Sequence, residues 1–350
     1  MITINRTTDI SINYDLSKKF PSKKICFFDI ETTGLSRKTS IIYLIGLCHY
    51  ENGQCCSTLF FNDDGVSERE LLSELGKYIS NFDIIINFNG DSFDIPFVLE
   101  RAAINNISLS FENIVSFDMY KYLRKYKTFL NLPNLKQKSV ELFLGINRDD
   151  MYDGGKLINV YNDYLLNKSN ELYDLLILHN YEDVIGMVKL CNIFGYTDIF
   201  DGNFTFLSFK FDENNAIFRF TLQTPVIQPY SLKDDNFYLT ATEDKLSFAL
   251  KVKNMELKFF YPDYKNYYYL PVEDTAIHKS VAEFVDKNHR IKATKSNCYT
   301  KKTSLYCMQK KDVIKPLFRE NCRDKISYFE IKDCIFNEKN SKELLLSFFK

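Results

Sequence analysis

Apolar residues fall into short unbroken runs near the start of the chain, with helix-spaced stripes between them. Ile25 to Phe28 with Ile30, Ile41 to Tyr50, Cys55 to Phe61 and Ile84 to Asn87 read as strands, the first and last of them covered on both faces. E-N-G-Q at 51–54 separates the second run from the third and is a hairpin signal, so three consecutive strands open the domain. Ser67 with Glu70 three residues on predicts a capping box, and Leu71, Leu72, Leu75, Tyr78 and Ile79 supply the helical stripe behind it. The alternation continues with a helix over 92–104, a strand over 114–118 and a helix around 135–144 that Gly145 stops. A long helix follows over 170–194. Residues 1–23 are polar and read as an extended arm or edge strand. The pattern is that of an α/β domain with a mixed sheet.

Beyond about Tyr196 the period changes from helix-like to two. Phe204 and Phe206, Phe209 and Phe211, and Phe218 and Phe220 are spaced as in strands, with turn clusters at D-E-N-N, K-D-D-N and D-Y-K-N. Asp274 is placed to cap a helix carrying Ile277, Val281 and Phe284. The chain therefore divides into an α/β domain over 1–195 and a smaller β-rich domain with a helix over 196–350.

With 350 residues the chain is long enough for one large or two ordinary domains, and its 45% hydrophobic content is that of a soluble globular protein. The first twenty residues contain no signal-peptide core, and no apolar run reaches the eighteen residues of a membrane helix, which predicts a cytoplasmic protein. Nine cysteines, odd in number and without a C-x-x-C pair, fit reduced thiols.

The net charge of −1 hides an uneven distribution. Residues 119–138 carry six basic residues and no acid, and residues 287–311 carry eight and again no acid. Setting those fourteen aside leaves 31 Lys and Arg against 46 Asp and Glu. Both islands are interleaved with tyrosines (Tyr120, Tyr122, Tyr126, Tyr299 and Tyr306), which suits backbone tracking and base stacking on a nucleic acid. A lysine-rich solvated face is the plainer alternative.

The candidate chemistry lies in three places. In K-I-C-F-F-D-I-E-T-T-G-L, residues 24–35, Asp29 and Glu31 interrupt a buried strand two positions apart, so both carboxylates leave one face together. Their repulsion calls for a cation between them, and hard oxygen donors select Mg²⁺ or Mn²⁺. If the strand instead ends at Phe28, both acids are solvated turn residues. In N-F-N-G-D-S-F-D-I-P, residues 87–96, a strand end and a turn put Asp94 into the first turn of a helix, which the helix dipole alone would also favour. In the long helix His179 and Asp183 stand four apart on an apolar face, where a satisfied core pair competes with a catalytic one.

The motifs F-D-I-E-T-T-G-L, N-G-D-S-F-D-I-P and H-N-Y-E-D-V, in this order and at these separations, resemble those of the DEDD exonuclease superfamily with the RNase H-like fold. The resemblance spans about residues 20–195, and the bacterial YprB-like proteins are its nearest branch. It implies that Asp29, Glu31, Asp94 and Asp183 hold two Mg²⁺ or Mn²⁺ ions. It also implies that Thr32, Thr33 and Leu35 lie beside the terminal nucleotide while Asn89 and Phe93 support the second motif. His179 stands four before the last Asp, a place where one branch has Tyr, and is the candidate general base. Lys301 and Lys302, in the second island, are candidate substrate contacts. The function so implied is a metal-dependent 3′–5′ exonuclease acting on DNA or RNA. Its rivals are a non-catalytic nucleic-acid-binding protein on the same fold and a structure-specific endonuclease.

Overall fold

The computed structural model describes every residue except 52, 150–153, 213, 333, 334 and 350. The chain divides into two compact units, Met1–Tyr196 and Thr197–Lys350. The elements up to the boundary are β1 (Ile2–Asp9), α1 (Leu16–Lys19), β2 (Ile25–Thr32), β3 (Ile42–Glu51), β4 (Gln54–Phe61), α2 (Glu68–Ile79), β5 (Ile84–Asn87) and α3 (Asp94–Ile104). They continue with β6 (Val115–Asp118), α4 (Met119–Leu123), α5 (Gln137–Phe143), α6 (Gly154–Asn167), α7 (Asn170–Leu190) and α8 (Ile193–Asp201).

The six strands of the first unit form a mixed sheet in the order β1-β4-β3-β2-β5-β6. β1 to β4, β4 to β3 and β3 to β2 pair antiparallel, whereas β2 to β5 and β5 to β6 pair parallel. The sheet thus changes direction at β2, and ligands of α/β sheets gather where strand ends meet such a change. Alternation along β2 sorts its side chains between two cores. Cys26, Phe28 and Ile30 pack with Leu71, Leu72, Leu75 and Ile79 of α2 and with Phe97 and Val98 of α3. On the other face Leu44, Leu59 and Phe61 pack with Leu157 and Tyr161 of α6 and Leu176 and Ile177 of α7. Asp29 and Glu31, out of phase with Phe28 and Ile30, leave on this α7 face.

Gly46 makes that approach close. It pairs with Asp29 across β3, and a Cβ on it would lie 2.1 Å from the Asn180 Oδ1 of α7, so the helix rests on bare backbone there. A buried ion pair fixes the loop after β2. Arg101 Nη2 lies 2.5 Å from Glu68 Oε2, Glu68 Oε1 accepts from the Ile42 amide at 2.8 Å, and Arg101 Nη1 donates to the Lys38 carbonyl at 3.2 Å.

Several sequence expectations need correcting. Ser67 does precede α2, but no capping box forms: its hydroxyl donates to Asp64 Oδ2 at 2.6 Å and accepts from the Met1 amino group at 3.1 Å. The expectation of reduced thiols fails at Cys48 and Cys55, which the β3–β4 hairpin holds with Cα atoms 6.3 Å apart and which form a disulfide. Of the hairpin signal, Gly53 turns with φ +83° between the paired Glu51 and Gln54, while Asn52 lies outside the described residues. α6 has no counterpart among the elements read from the sequence.

The second unit is β-rich. β7 (Phe204–Phe211), β8 (Asn215–Lys233), β9 (Phe237–Phe260), β13 (Tyr299–Gln309) and β14 (Ser327–Glu330) form a five-stranded sheet in the order β14-β13-β9-β8-β7. β10 (Tyr267–Leu270), β11 (Thr275–His278) and β12 (Ile291–Lys292) form a small second sheet, and the unit also carries α9 (Lys279–Ala282) and α10 (Glu338–Leu346). Of the phenylalanines spaced two apart, Phe204, Phe218 and Phe220 are buried, Phe206 and Phe209 are half-buried and Phe211 is exposed. Asp274 caps no helix. It turns with φ +49° into β11, its carboxylate held by Lys301 and by the Tyr269 and Tyr299 hydroxyls, and Val281 and Phe284 are exposed. Among the described residues no helix is long and apolar enough to cross a membrane.

Candidate metal centre

Three elements bring acids to the carboxyl end of β2. From β2 itself, Asp29 Oδ2 accepts from Asn180 Nδ2 at 2.7 Å and Glu31 Oε2 accepts from the Tyr43 hydroxyl at 3.5 Å. From the first turn of α3, Asp94 Oδ1 accepts from the Ile30 amide at 3.2 Å, which ties the second motif to β2. From α7, Asp183 Oδ2 and Glu31 Oε1 each lie 3.3 Å from His179 Nε2. One ligand atom each from Glu31, His179 and Asp183 falls within 4.8 Å of the others.

The electrostatics follow from this crowding. Burial, followed by the charges of Asp183, Asp94 and Glu31, holds the Asp29 carboxyl well above the usual carboxylate range. Burial lifts Asp94 to about 7, with Glu31 and Asp118 adding to the rise and the Ile30 amide opposing it. Burial also raises Glu31, against the lowering effect of its bond to His179.

The other sequence candidates divide. The Thr32 hydroxyl donates to the Gly34 carbonyl at 2.9 Å and the Thr33 hydroxyl accepts from the Ile41 amide at 3.0 Å, so both shape the turn after β2, while Leu35 is 84% exposed at its tip. Asn89 turns the chain at φ +67° and its amide donates to Asp118 Oδ1 at 2.9 Å; Phe93 precedes α3 and packs on Phe97. Both support the loop before Asp94. In the second unit the basic island departs from its expected character. Lys301 is paired with Asp274, Lys302 Nζ lies 2.5 Å from Glu330 Oε2, and Tyr299 and Tyr306 are buried. Acids from neighbouring strands and turns, invisible in a linear charge count, neutralise both lysines. In the first island Lys121 pairs with Asp91 at 2.7 Å, whereas Arg124, Lys127 and Lys136 are exposed.

Sequence reasoning passed over Asn180, Tyr43 and an anchor behind Asp183. Arg148 is paired with Asp183 Oδ1 and holds both oxygens of Glu141, and Gln137 Nε2 donates to the Asp183 carbonyl at 2.9 Å. No linear spacing links these residues. Gly186 was the available signal: a Cβ there would lie 2.3 Å from Glu141 Oε1.

A divalent cation fits the donor set. Asp29, Glu31, Asp94 and Asp183 offer hard oxygens, and of the nearby cationic groups Arg148 is already balanced by Glu141, which leaves the carboxylates short of positive charge. The geometry adds His179 to the candidate ligands, since it is clustered with Glu31 and Asp183, and Asp29 and Asp94 are not members of that trio.

Residues 26–194 match the RNase_H_2 family model of the RNase H superfamily. No curated protein matches the sequence. Among solved structures, the chain is similar to the family B DNA polymerase from the hyperthermophilic archaeon Pyrobaculum calidifontis, with 13% identity and a TM-score of 0.42 over 70% of this chain. The similarity covers 35% of the polymerase. The family match, the mixed sheet and the acidic cluster together support a nuclease.

Proposed function

We propose that the first unit is a metal-dependent exonuclease that removes nucleotides from the 3′ end of DNA or RNA, with a site built from Asp29, Glu31, Asp94 and Asp183. The observation that carries this reading is the convergence of these acids from β2, α3 and α7 on one strand end, with carboxyls pushed upward by burial and by one another. Two divalent ions held there would supply charge for the attacking water, the scissile phosphate and the leaving oxygen. The chain's own residues orient the site: Asn180 fixes Asp29, the Ile30 amide fixes Asp94 and Tyr43 supports Glu31. Leu35, exposed at the tip of a turn pinned by Thr32, Thr33 and the Arg101 contacts, would meet a terminal base. That contact is the basis for requiring a free 3′ end. Affiliation with the YprB-like branch rests on the three motifs alone.

Two roles fit His179. As a general base it would accept the water's proton. Its Nε2, shared between Glu31 and Asp183, favours the second role, in which it holds the two acids or joins them as a ligand. Lys301 and Lys302 enter the reading only where substrate phosphates displace Asp274 and Glu330.

The test is digestion of end-labelled single- and double-stranded DNA and RNA with Mg²⁺ or Mn²⁺, alongside Asp29→Asn and Asp183→Asn. Mononucleotide release from the 3′ end by the wild type, abolished in both variants, is the expected result. Circular substrates cut as fast as linear ones would establish the endonuclease instead, and metal-dependent binding without hydrolysis would establish the non-catalytic protein.

A further inference from the structure

Behind Asp183 lies a buried polar assembly that the proposed chemistry does not use. Glu141 on α5 is 1% exposed and the Arg148 side chain 8% exposed. The guanidinium grips both Glu141 oxygens through Nε and Nη2 and turns its remaining Nη1 to Asp183 Oδ1. Gln137 Nε2 bridges Glu141 Oε1 at 3.0 Å and the Asp183 carbonyl at 2.9 Å. Gly186, one turn beyond Asp183, provides the space: any side chain there would drive into the Glu141 carboxylate. The positive-φ turn at Gly145 ends α5 and lets the chain lead on to Arg148.

We infer that the Glu141–Arg148 pair is a positioning clamp for Asp183, holding Oδ1 so that Oδ2 alone faces the Glu31 and His179 side, and thereby setting the site's affinity for a divalent cation. This deepens the proposed function and rests on its metal site. Three features support a clamp over a loose surface pair. A guanidinium held in a two-pronged grip cannot swing as a lysine can. Both partners are buried, so solvent does not compete. Glu141 balances the charge of Arg148, so the clamp orients Asp183 without adding net positive charge that would repel a cation. A competitor for Asp183, by contrast, would need an arginine free to leave.

The two roles predict opposite signs. Mn²⁺ binding is measured by calorimetry on the full chain without nucleic acid, for wild type, Arg148→Lys and the double variant Glu141→Gln/Arg148→Met. The double variant removes both buried charges together and so leaves neither one stranded. The clamp predicts about 10–100-fold weaker Mn²⁺ binding in the double variant, the scale of losing a partner that orients a ligand. It also predicts incomplete rescue by Arg148→Lys, because one ammonium cannot reproduce the fork. Mn²⁺ affinity unchanged or tightened in the double variant overturns the clamp. Should the double variant not fold, Gly186→Ala, which displaces Glu141 while keeping every charge, must weaken Mn²⁺ binding, and unchanged affinity there overturns the inference equally. A wild type whose Mn²⁺ binding depends on Arg148 but which hydrolyses nothing refutes the nuclease reading and leaves the clamp standing. Hydrolysis with clamp-independent Mn²⁺ binding does the reverse.

Discussion

Replacing Asp94 with asparagine tests whether the acids of this site are crowded for the sake of a cation. The Asp94 carboxyl is lifted from 3.8 in an open chain to about 7 in the fold, with burial as the leading cause. Between those values the folded protein keeps a proton that the unfolded chain releases. The metal-free protein therefore loses stability as pH rises from about 4 to about 7 and regains it on acidification. The span between the two values corresponds to roughly 4 kcal/mol at neutral pH. The amide introduced by Asp94→Asn would keep an oxygen to accept from the Ile30 amide, but it brings N–H groups that, if unpaired, cost about 1–3 kcal/mol. The net gain for Asp94→Asn at pH 8 in EDTA is then about 2 kcal/mol, or roughly 4–8 °C in Tm for a unit of this size. Near pH 4 the charge term vanishes, since both folded side chains are neutral, and the cost of the unpaired amide remains, so the variant melts below wild type there by the equivalent of about 1–3 kcal/mol. Saturating Mn²⁺ reverses the order: at 100 times Kd the wild type gains about 2.7 kcal/mol and the variant less. Thermal unfolding at pH 4 and pH 8, with EDTA and with Mn²⁺, reads all four conditions. A variant that melts at or below wild type in EDTA at pH 8, or a gain that is equal at both pH values, refutes the reasoning.

Three other perturbations separate the remaining assignments. His179→Ala lowers kcat by about 10²–10⁴-fold and removes an ionisation near neutral pH if His179 takes the proton, whereas a pH profile of unchanged shape assigns it to holding Glu31 and Asp183. Arg101→Met strands Glu68 without its partner, so urea unfolding of the first unit should show a loss of about 3–5 kcal/mol. Lys301 and Lys302 are already neutralised by Asp274 and Glu330, so replacing both with Ala should leave the salt dependence of nucleic-acid binding close to wild type. A slope of log K against log[salt] flatter by one to two, at about 0.7–0.9 per lost contact, would instead make them phosphate contacts.

Local pattern carried the first unit far. The unbroken run at Ile84–Asn87 is β5 residue for residue, and the two-residue spacing of Asp29 and Glu31 did place both on one face, opposite Phe28 and Ile30. What failed depended on groups distant in sequence. Ser67 is drawn off its capping role by Asp64 and Met1, and Asp274 is drawn off a helix by Lys301 and two tyrosines. The basic island looked unopposed because its counter-ions, Glu330 and Asp274, come from strands and turns outside it. Linear spacing holds no record of such partners.

The long helix shows why an apolar stripe could not find the site. α7 packs Leu176 and Ile177 into the sheet-side core, lays Asn180 over Gly46 of β3, and receives Glu141 of α5 at Gly186. A helix enclosed on several sides is apolar nearly all round, so its polar residues, not its stripe, mark the functional face. Among the polar residues of α7, which also include Glu171, Asp174, Glu182 and Lys189, it is His179, Asn180 and Asp183 that reach Glu31, Asp29 and Arg148 respectively. Because the helix carrying them is buried, these side chains are set by packing rather than by the ligand, which keeps the acids together before any cation arrives. Burial first, and the neighbouring carboxylates in addition, raise Asp29 and Asp94, and a cation bound among them would offset both. Metal affinity and metal-free stability are therefore coupled here: a substitution that relaxes the carboxylates should stabilise the empty fold and weaken cation binding together.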